Sequence, residues 1–242
     1  MAETNDQLVL VCGYSGTGKS ASLRNIKNQE NWLYLNCEAG KRLPFKNKFQ
    51  NYRIDDPYQI YEAFDYATDP ANNIAGIAVD SLTFLMDMVE TQVVLTSANT
   101  MKGWGEYQQY FKKLMQEKVV KFGKPVVFIA HVKDILDEKN MEMKTMVPIK
   151  GALANQGVEA YFSTVVAAKK LPLKDLEGYS SDLLHITEEE KDLGFKYIFQ
   201  TRITKNTTGE RIRSPMGLFT KEQTYMDNDC QVLLDHLTEY YK

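Results

Sequence analysis

Residues 13 to 20 read GYSGTGKS, and this octapeptide restricts the chain more than any other part of it. It fits G-x-x-x-x-G-K-[ST] in full, directly after the apolar run QLVLVC and directly before SASLRNIKN, whose pattern predicts a helix over 19–28. A chain of phosphates needs donors on all sides at close range. Gly13, Gly16 and Gly18 let the backbone curl so that successive N–H groups point inward, and the start of the following helix adds positive potential. Gly13, Tyr14, Ser15, Gly16, Thr17, Gly18, Lys19, Ser20 and Ala21 are therefore the candidate nucleotide cradle. Lys19 is placed to reach the β- and γ-phosphates of a nucleotide such as ATP, and the Ser20 hydroxyl to ligate Mg²⁺.

Around this loop, apolar runs of strand length alternate with stretches of helical period. The spacing predicts strands near 7–12, 32–37, 74–79, 125–130, 162–168 and 195–203. It predicts helices near 19–28, 57–67, 82–96, 104–122, 152–160 and 229–240. Such an order implies an α/β fold, a mainly parallel sheet flanked by helices. No linker or repeat interrupts it, so residues 1–242 read as a single domain, with 133–150 and 169–194 as loop insertions. The first has a charged centre between apolar ends, which suits a hairpin or mobile loop; the acidic run Glu188 to Glu190 in the second reads as solvated surface. With 43% hydrophobic residues a chain of this length buries a core without disulfides, and Cys12, Cys37 and Cys230 are odd in number and far apart. No apolar run is long enough for a membrane helix, and MAETNDQ is polar where a secretory signal is basic and then apolar. The expected location is the cytoplasm, and the net charge of −3 leaves any nucleic-acid contact to local basic patches.

The segment NNIAGIAVDSLTFLM holds a strand ending at Asp80, followed by Ser81. A carboxylate at the carboxyl end of a parallel strand faces the crevice where ligands bind in such sheets, so Asp80 is a candidate to hold Mg²⁺ through water; the plainer role is a cap on the next helix. Because Ser81 follows Asp80, a carboxylate that activates water must come from elsewhere. Glu38, at the end of WLYLNCEAG, is that candidate, against the plain reading of a surface turn. His131 ends the strand VVFIAH, where a lone His also serves as a packing residue.

GYSGTGKS, LYLNCEAG, IAVDS and VVFIAH, in this order over residues 7 to 131, resemble the RecA-like P-loop ATPase core, and most closely the short phage-encoded ATPases that assist single-strand annealing and recombination. The resemblance implies ATP and Mg²⁺ as ligands, Glu38 as the catalytic carboxylate and His131 as a sensor of the γ-phosphate, a place that the RecA recombinase fills with Gln. VPIKGALAN and FKYIFQTRITKNTTGERIRSP match the looser later motifs of these proteins. In such assemblies ATP lies between subunits of a ring or filament, so Lys205, Arg211 and Arg213 become candidates to reach a neighbour's γ-phosphate; a charged edge strand is the competing account. The implied partners are further copies of the chain, single-stranded DNA and a single-strand-binding or annealing protein, in the host cytoplasm if phage-encoded. With six residues ahead of the first strand, the amino-terminal additions of full-length recombinases are not expected.

Residues 101 to 124 carry six Lys against Glu106 and Glu117, with Trp104 and Tyr107 near. Trp104, Tyr107, Tyr110, Phe111 and Leu114 recur at helical spacing, which favours core packing over base stacking. Met141, Met143 and Met146 are an adaptable surface or ordinary hairpin packing. Two rival functions follow from the same loop. One is a nucleotide-gated oligomeric DNA-binding protein with negligible hydrolysis, and the other a small-molecule P-loop kinase with residues 202–213 as its lid.

Overall fold

The computed structural model describes residues 4–242. Among these, an eight-stranded sheet has the order β10-β9-β8-β1-β5-β4-β2-β3. Its strands are β1 (Leu8–Gly13), β2 (Trp32–Asn36), β3 (Gln50–Arg53), β4 (Gly76–Asp80), β5 (Val126–His131), β8 (Thr164–Pro172), β9 (Phe195–Gln200) and β10 (Tyr225–Asp227). β6 (Lys133–Asp137) and β7 (Glu142–Met146) form a separate antiparallel hairpin. The pairings from β8 through β1 to β3 are parallel, and β9 and β10 add an antiparallel edge. This is the expected α/β arrangement, a mainly parallel sheet flanked by helices, with the loop-bearing strand β1 between β8 and β5.

The central strands are apolar on both sides because both faces are covered. Leu10, Leu35, Val79 and Phe128 point into one core, where Phe64, Leu85 and Phe111 come from α1 (Gln59–Thr68), α2 (Leu82–Val89) and α3 (Thr100–Lys113). Val9, Val11, Ala78 and Ile129, one residue out of phase, point into the other. Two short helices, α4 (Val120–Phe122) and α5 (Leu153–Gln156), lead into β5 and towards β8. The acidic α6 (Glu188–Leu193) precedes β9, and α7 (Cys230–Tyr240) covers the second core with Leu233, Leu234 and Leu237.

Several expectations need correction. Residues 19–28 do not form an α-helix: only a 3-10 turn, Ser20–Leu23, follows the loop. The polar groups beyond it are taken up by the start of α7. Arg24 Nη1 donates to the carbonyl of Asn228 (2.7 Å), Asn25 Nδ2 to Asp229 (2.5 Å), and the Lys27 N–H to Gln231 Oε1 (2.8 Å). A four-residue turn has little macrodipole, so the cradle rests on its own amides and on Lys19. Residues 152–160 break at Gly157, whose φ of +76° separates α5 from a 3-10 turn. The insertion expected from 169 begins later, because β8 runs on to Pro172. Within it, α6 starts with a reciprocal capping box between Thr187 and Glu190. The polar edge strand β3 and the three-residue β10 lie outside the apolar runs that predict strands. Among the described residues, no helix is long and apolar enough to cross a membrane.

Candidate active site

The phosphate loop leaves β1 at a point where the chain has no room for a side chain. A Cβ on Gly13 would lie 2.5 Å from Thr17 Oγ1 and 2.6 Å from the carbonyl oxygen of Ala168. Gly16 and Gly18 follow with φ of +78° and +84°, the left-handed region that glycine enters without strain. The curl brings the Tyr14 carbonyl to a focal position, where it accepts from Thr17 Oγ1 at 2.8 Å and from Lys19 Nζ at 2.7 Å. Lys19 is buried, and that burial lowers the pKa of its ammonium group. An anion entering the loop relieves this cost and displaces a single neutral acceptor.

Asp80 ends β4 almost fully buried. Tyr34, from the adjacent β2, donates its hydroxyl to Oδ2 at 2.9 Å, while Oδ1 has no hydrogen-bond partner among the described residues. Burial raises the Asp80 pKa; the nearby Ser20 hydroxyl and Tyr34 act in the opposite direction. A buried carboxylate oxygen without a partner, beside a hydroxyl, is the donor set that a hard divalent cation or its water shell satisfies.

Glu38 follows β2 in a turn held by Asn36. The Asn36 side chain accepts from the Glu38 N–H at 3.0 Å and donates to the Lys41 carbonyl at 2.8 Å. Ala39 and Gly40 between them adopt φ of +51° and +79°. Glu38 Oε1 meets His131 Nε2 at 3.1 Å, and Oε2 meets Lys41 Nζ at 3.0 Å. With the His131 contact as the largest cause, the Glu38 carboxyl is held down at about 2. His131 is itself fixed through its main-chain N–H, which donates to Thr83 Oγ1 at 2.9 Å, and its ring packs edge-on against Phe84.

These groups surround a cavity of about 550 Å³ lined by Lys19, Ser20, Glu38, Asp80 and His131 together with Ser15, Gly16, Gly18 and Ala21. Gly13, Tyr14 and Thr17 belong to the loop but do not line the cavity. The cavity also takes in residues that sequence reasoning left out of the site: Arg24, Tyr34, Lys41, Arg42, Lys196, Tyr197, Asn228 and Glu190. The buried Lys196 binds Glu190 Oε1 at 2.7 Å and Asp227 Oδ1 at 3.1 Å, so the acidic run is partly a cavity wall rather than wholly solvated. The GKR sequence after Glu38 was the available signal for Lys41 and Arg42; nothing local distinguished Lys196.

Lys205, Arg211 and Arg213 do not line this cavity. Arg211 binds the buried Glu159 at 2.9 Å, Lys205 is exposed, and Arg213 is exposed while its backbone pairs with Val165. In α3, Tyr107, Tyr110 and Phe111 are buried, as is Leu114 just beyond it, and Trp104 is half-buried against the same core. Of the lysines nearby, Lys118 pairs with Asp65 and Lys124 donates to the Ile74 carbonyl.

Residues 5–190 match the model of a family described as AAA domain. No curated protein matches the chain in sequence. Among solved structures it is similar to a KaiC-like protein from the hyperthermophilic archaeon Pyrococcus horikoshii, with 14% identity and a TM-score of 0.45 over 85% of this chain and 82% of that one. It is also similar to the RadB recombinase, with 15% identity and a TM-score of 0.42 over 70% of this chain and 77% of that one.

Proposed function

The chain belongs to the AAA domain family, and from that premise we propose that it binds and hydrolyses ATP with Mg²⁺. The observation that carries this reading is the convergence of Lys19, Ser20, Asp80 and Glu38 on one cavity at the carboxyl ends of β1, β2 and β4. Lys19 leaves the Tyr14 carbonyl for the β- and γ-phosphates, while the loop amides cradle the chain of phosphates. Ser20 and Asp80 would hold the divalent ion, which when bound draws charge from the phosphate oxygens. Glu38 orients a water molecule and takes its proton, which requires release from at least one of its two present partners, because a carboxylate titrating near 2 is a weak base.

His131 stands two residues before β6, so loss of its contact with Glu38 would be transmitted to the 133–146 hairpin, a switch of the order–disorder or hinge kind. The finer reading is action on single-stranded DNA in recombination or annealing, as a ring or filament with ATP between subunits. It rests on the motif resemblance and on exposed Lys205 and Arg213. Arg211 is the weakest candidate to act on a neighbour, since it would first have to leave Glu159 uncompensated. A nucleotide-gated binding protein with negligible turnover is the second reading, favoured by the double engagement of Glu38.

Phosphate release measured with and without single-stranded DNA separates the two. Lys19→Ala is expected to abolish ATP binding, and Glu38→Gln to keep binding while turnover falls by about 10²- to 10⁴-fold. Equal loss of binding in both variants would defeat the assignment of Glu38. No phosphate release from wild-type protein under any of these conditions would leave the gated reading in its place.

A further inference from the structure

Lys41 enters the mechanism above only as a partner of Glu38, yet the chain fixes its backbone in a defined turn. The Asn36 side chain, itself buried, ties the Glu38 N–H and the Lys41 carbonyl into one turn. The Lys41 N–H closes that turn on the Glu38 carbonyl at 3.0 Å. Ala39 takes a left-handed conformation with φ of +51°, which a non-glycine residue adopts at a cost. A surface lysine that served only solubility would not need such a turn. Its outcome is that Lys41 Nζ sits 3.0 Å from Glu38 Oε2 and lines the same cavity as Lys19 and Asp80.

The charges around it are close enough to interact. Lys41 shares its cavity with the ammonium of Lys19 and the carboxylates of Glu38 and Asp80. Its side chain is nonetheless 69% exposed, so beyond the fixed backbone it is free to turn. A triphosphate brings more negative charge into this cavity than Glu38 supplies, and an ammonium group that can reach both moves to the stronger field.

We propose that Lys41 exchanges Glu38 for the γ-phosphate when a nucleoside triphosphate binds, so that one subunit both supplies a cation to the transferring phosphoryl group and releases its own catalytic carboxylate. This rests on the nucleotide reading given above and adds to it a residue that discriminates triphosphate from diphosphate. Without a γ-phosphate Lys41 stays on Glu38 and the carboxylate remains engaged. The exchange makes and breaks ionic contacts only, and no covalent step is involved.

The test is calorimetric titration of the intact protein, in the presence of Mg²⁺, with the β,γ-imido analogue of ATP and separately with ADP, followed by steady-state phosphate release. Lys41→Gln is expected to weaken the triphosphate analogue by about tenfold or more, the value of one charge-assisted contact, to leave ADP within about twofold, and to lower kcat. Lys41→Arg should recover part of the triphosphate affinity. Lys48→Gln, on an exposed residue of the same loop outside the cavity, is the control expected to change neither ligand. Equal weakening of both nucleotides by Lys41→Gln would assign Lys41 a structural role and overturn the proposal. So would no change in either, since Lys41 would then be a surface ion pair. Failure of wild-type protein to bind any nucleotide would sink the nucleotide reading itself, a result distinct from either of these.

Discussion

The phenolic hydroxyl of Tyr14, second residue of the phosphate loop, donates to Oδ1 of Asp134 on the β6–β7 hairpin, 120 positions further along the chain. Thr145, on the opposite strand of the hairpin, donates to the same oxygen at 2.7 Å. The main chain of Tyr14 faces the other way, its carbonyl holding Lys19 and Thr17. One residue therefore touches both the cradle and the hairpin. With His131 at the base of β6, the hairpin is tied both to the phosphate loop and to a residue of the cavity.

Tyr14→Phe removes the hydroxyl and nothing else. One partly exposed hydrogen bond contributes about 1 kcal/mol, so amide hydrogen exchange in 133–146 is expected to quicken by roughly fivefold while the central strands keep their protection. Unchanged exchange in the hairpin would mean that Tyr14 does not restrain it.

Asp80→Asn is expected to raise the thermal midpoint of the nucleotide-free protein and to weaken binding of Mg²⁺ with nucleotide. Burial raises the Asp80 pKa, so ionising it costs stability as pH rises through the ordinary carboxylate range. Asn keeps an acceptor for Tyr34 without that charge. A midpoint lower than wild type at neutral pH would show that the ionised carboxylate is satisfied before any metal arrives.

Glu38 has the opposite sign. Its folded-state pKa of about 2 lies below the ordinary value of 4.5, chiefly through His131, so its contribution is present above pH 4.5 and lost as pH falls towards 2. His131→Ala is expected to flatten the fall in stability across that window, read from urea midpoints at stepped pH. A slope equal to wild type would remove His131 as the cause.

Lys196→Met takes the buried ammonium away from the part-buried Glu190 and Asp227, which keep Thr187 and His185 as their remaining partners. Losing the cation shared by two part-buried carboxylates should lower the urea midpoint, whereas Lys191→Met, on an exposed pair with Glu188, should barely move it. A small effect at Lys196 would show that water reaches this wall of the cavity.

Gly13→Ala puts a methyl group within 2.6 Å of the Ala168 carbonyl. The loop must separate from β8 to admit it, and overpacking of this kind costs about 1–3 kcal/mol. Nucleotide affinity is expected to fall with stability, both followed by melting with and without ATP. An affinity equal to wild type would mean that the cradle tolerates displacement.

The apolar runs of β1, β4 and β5 were legible as strands because both faces of each are buried, so their chemistry does not depend on which neighbour covers them. The phosphate loop was legible for a related reason: its curl is made by glycines acting on their own backbone. Glu38, Asp80 and His131 could be proposed from strand ends alone, since parallel strands deliver their carboxyl ends to one crevice. The sequence could not show that residues 24–28 would give up helix for contacts with Asn228, Asp229 and Gln231, because that competition is between groups some two hundred positions apart. Nor could it show which charges would be buried. Lys196 looked like one more basic residue, and Arg211 like a free one, until the fold set Glu190, Asp227 and Glu159 against them. Periodicity and backbone freedom are properties of a segment and can be read along it. A charge's partner is decided only when distant segments meet, because the energy of the pair depends on the separation and the water that folding leaves between them.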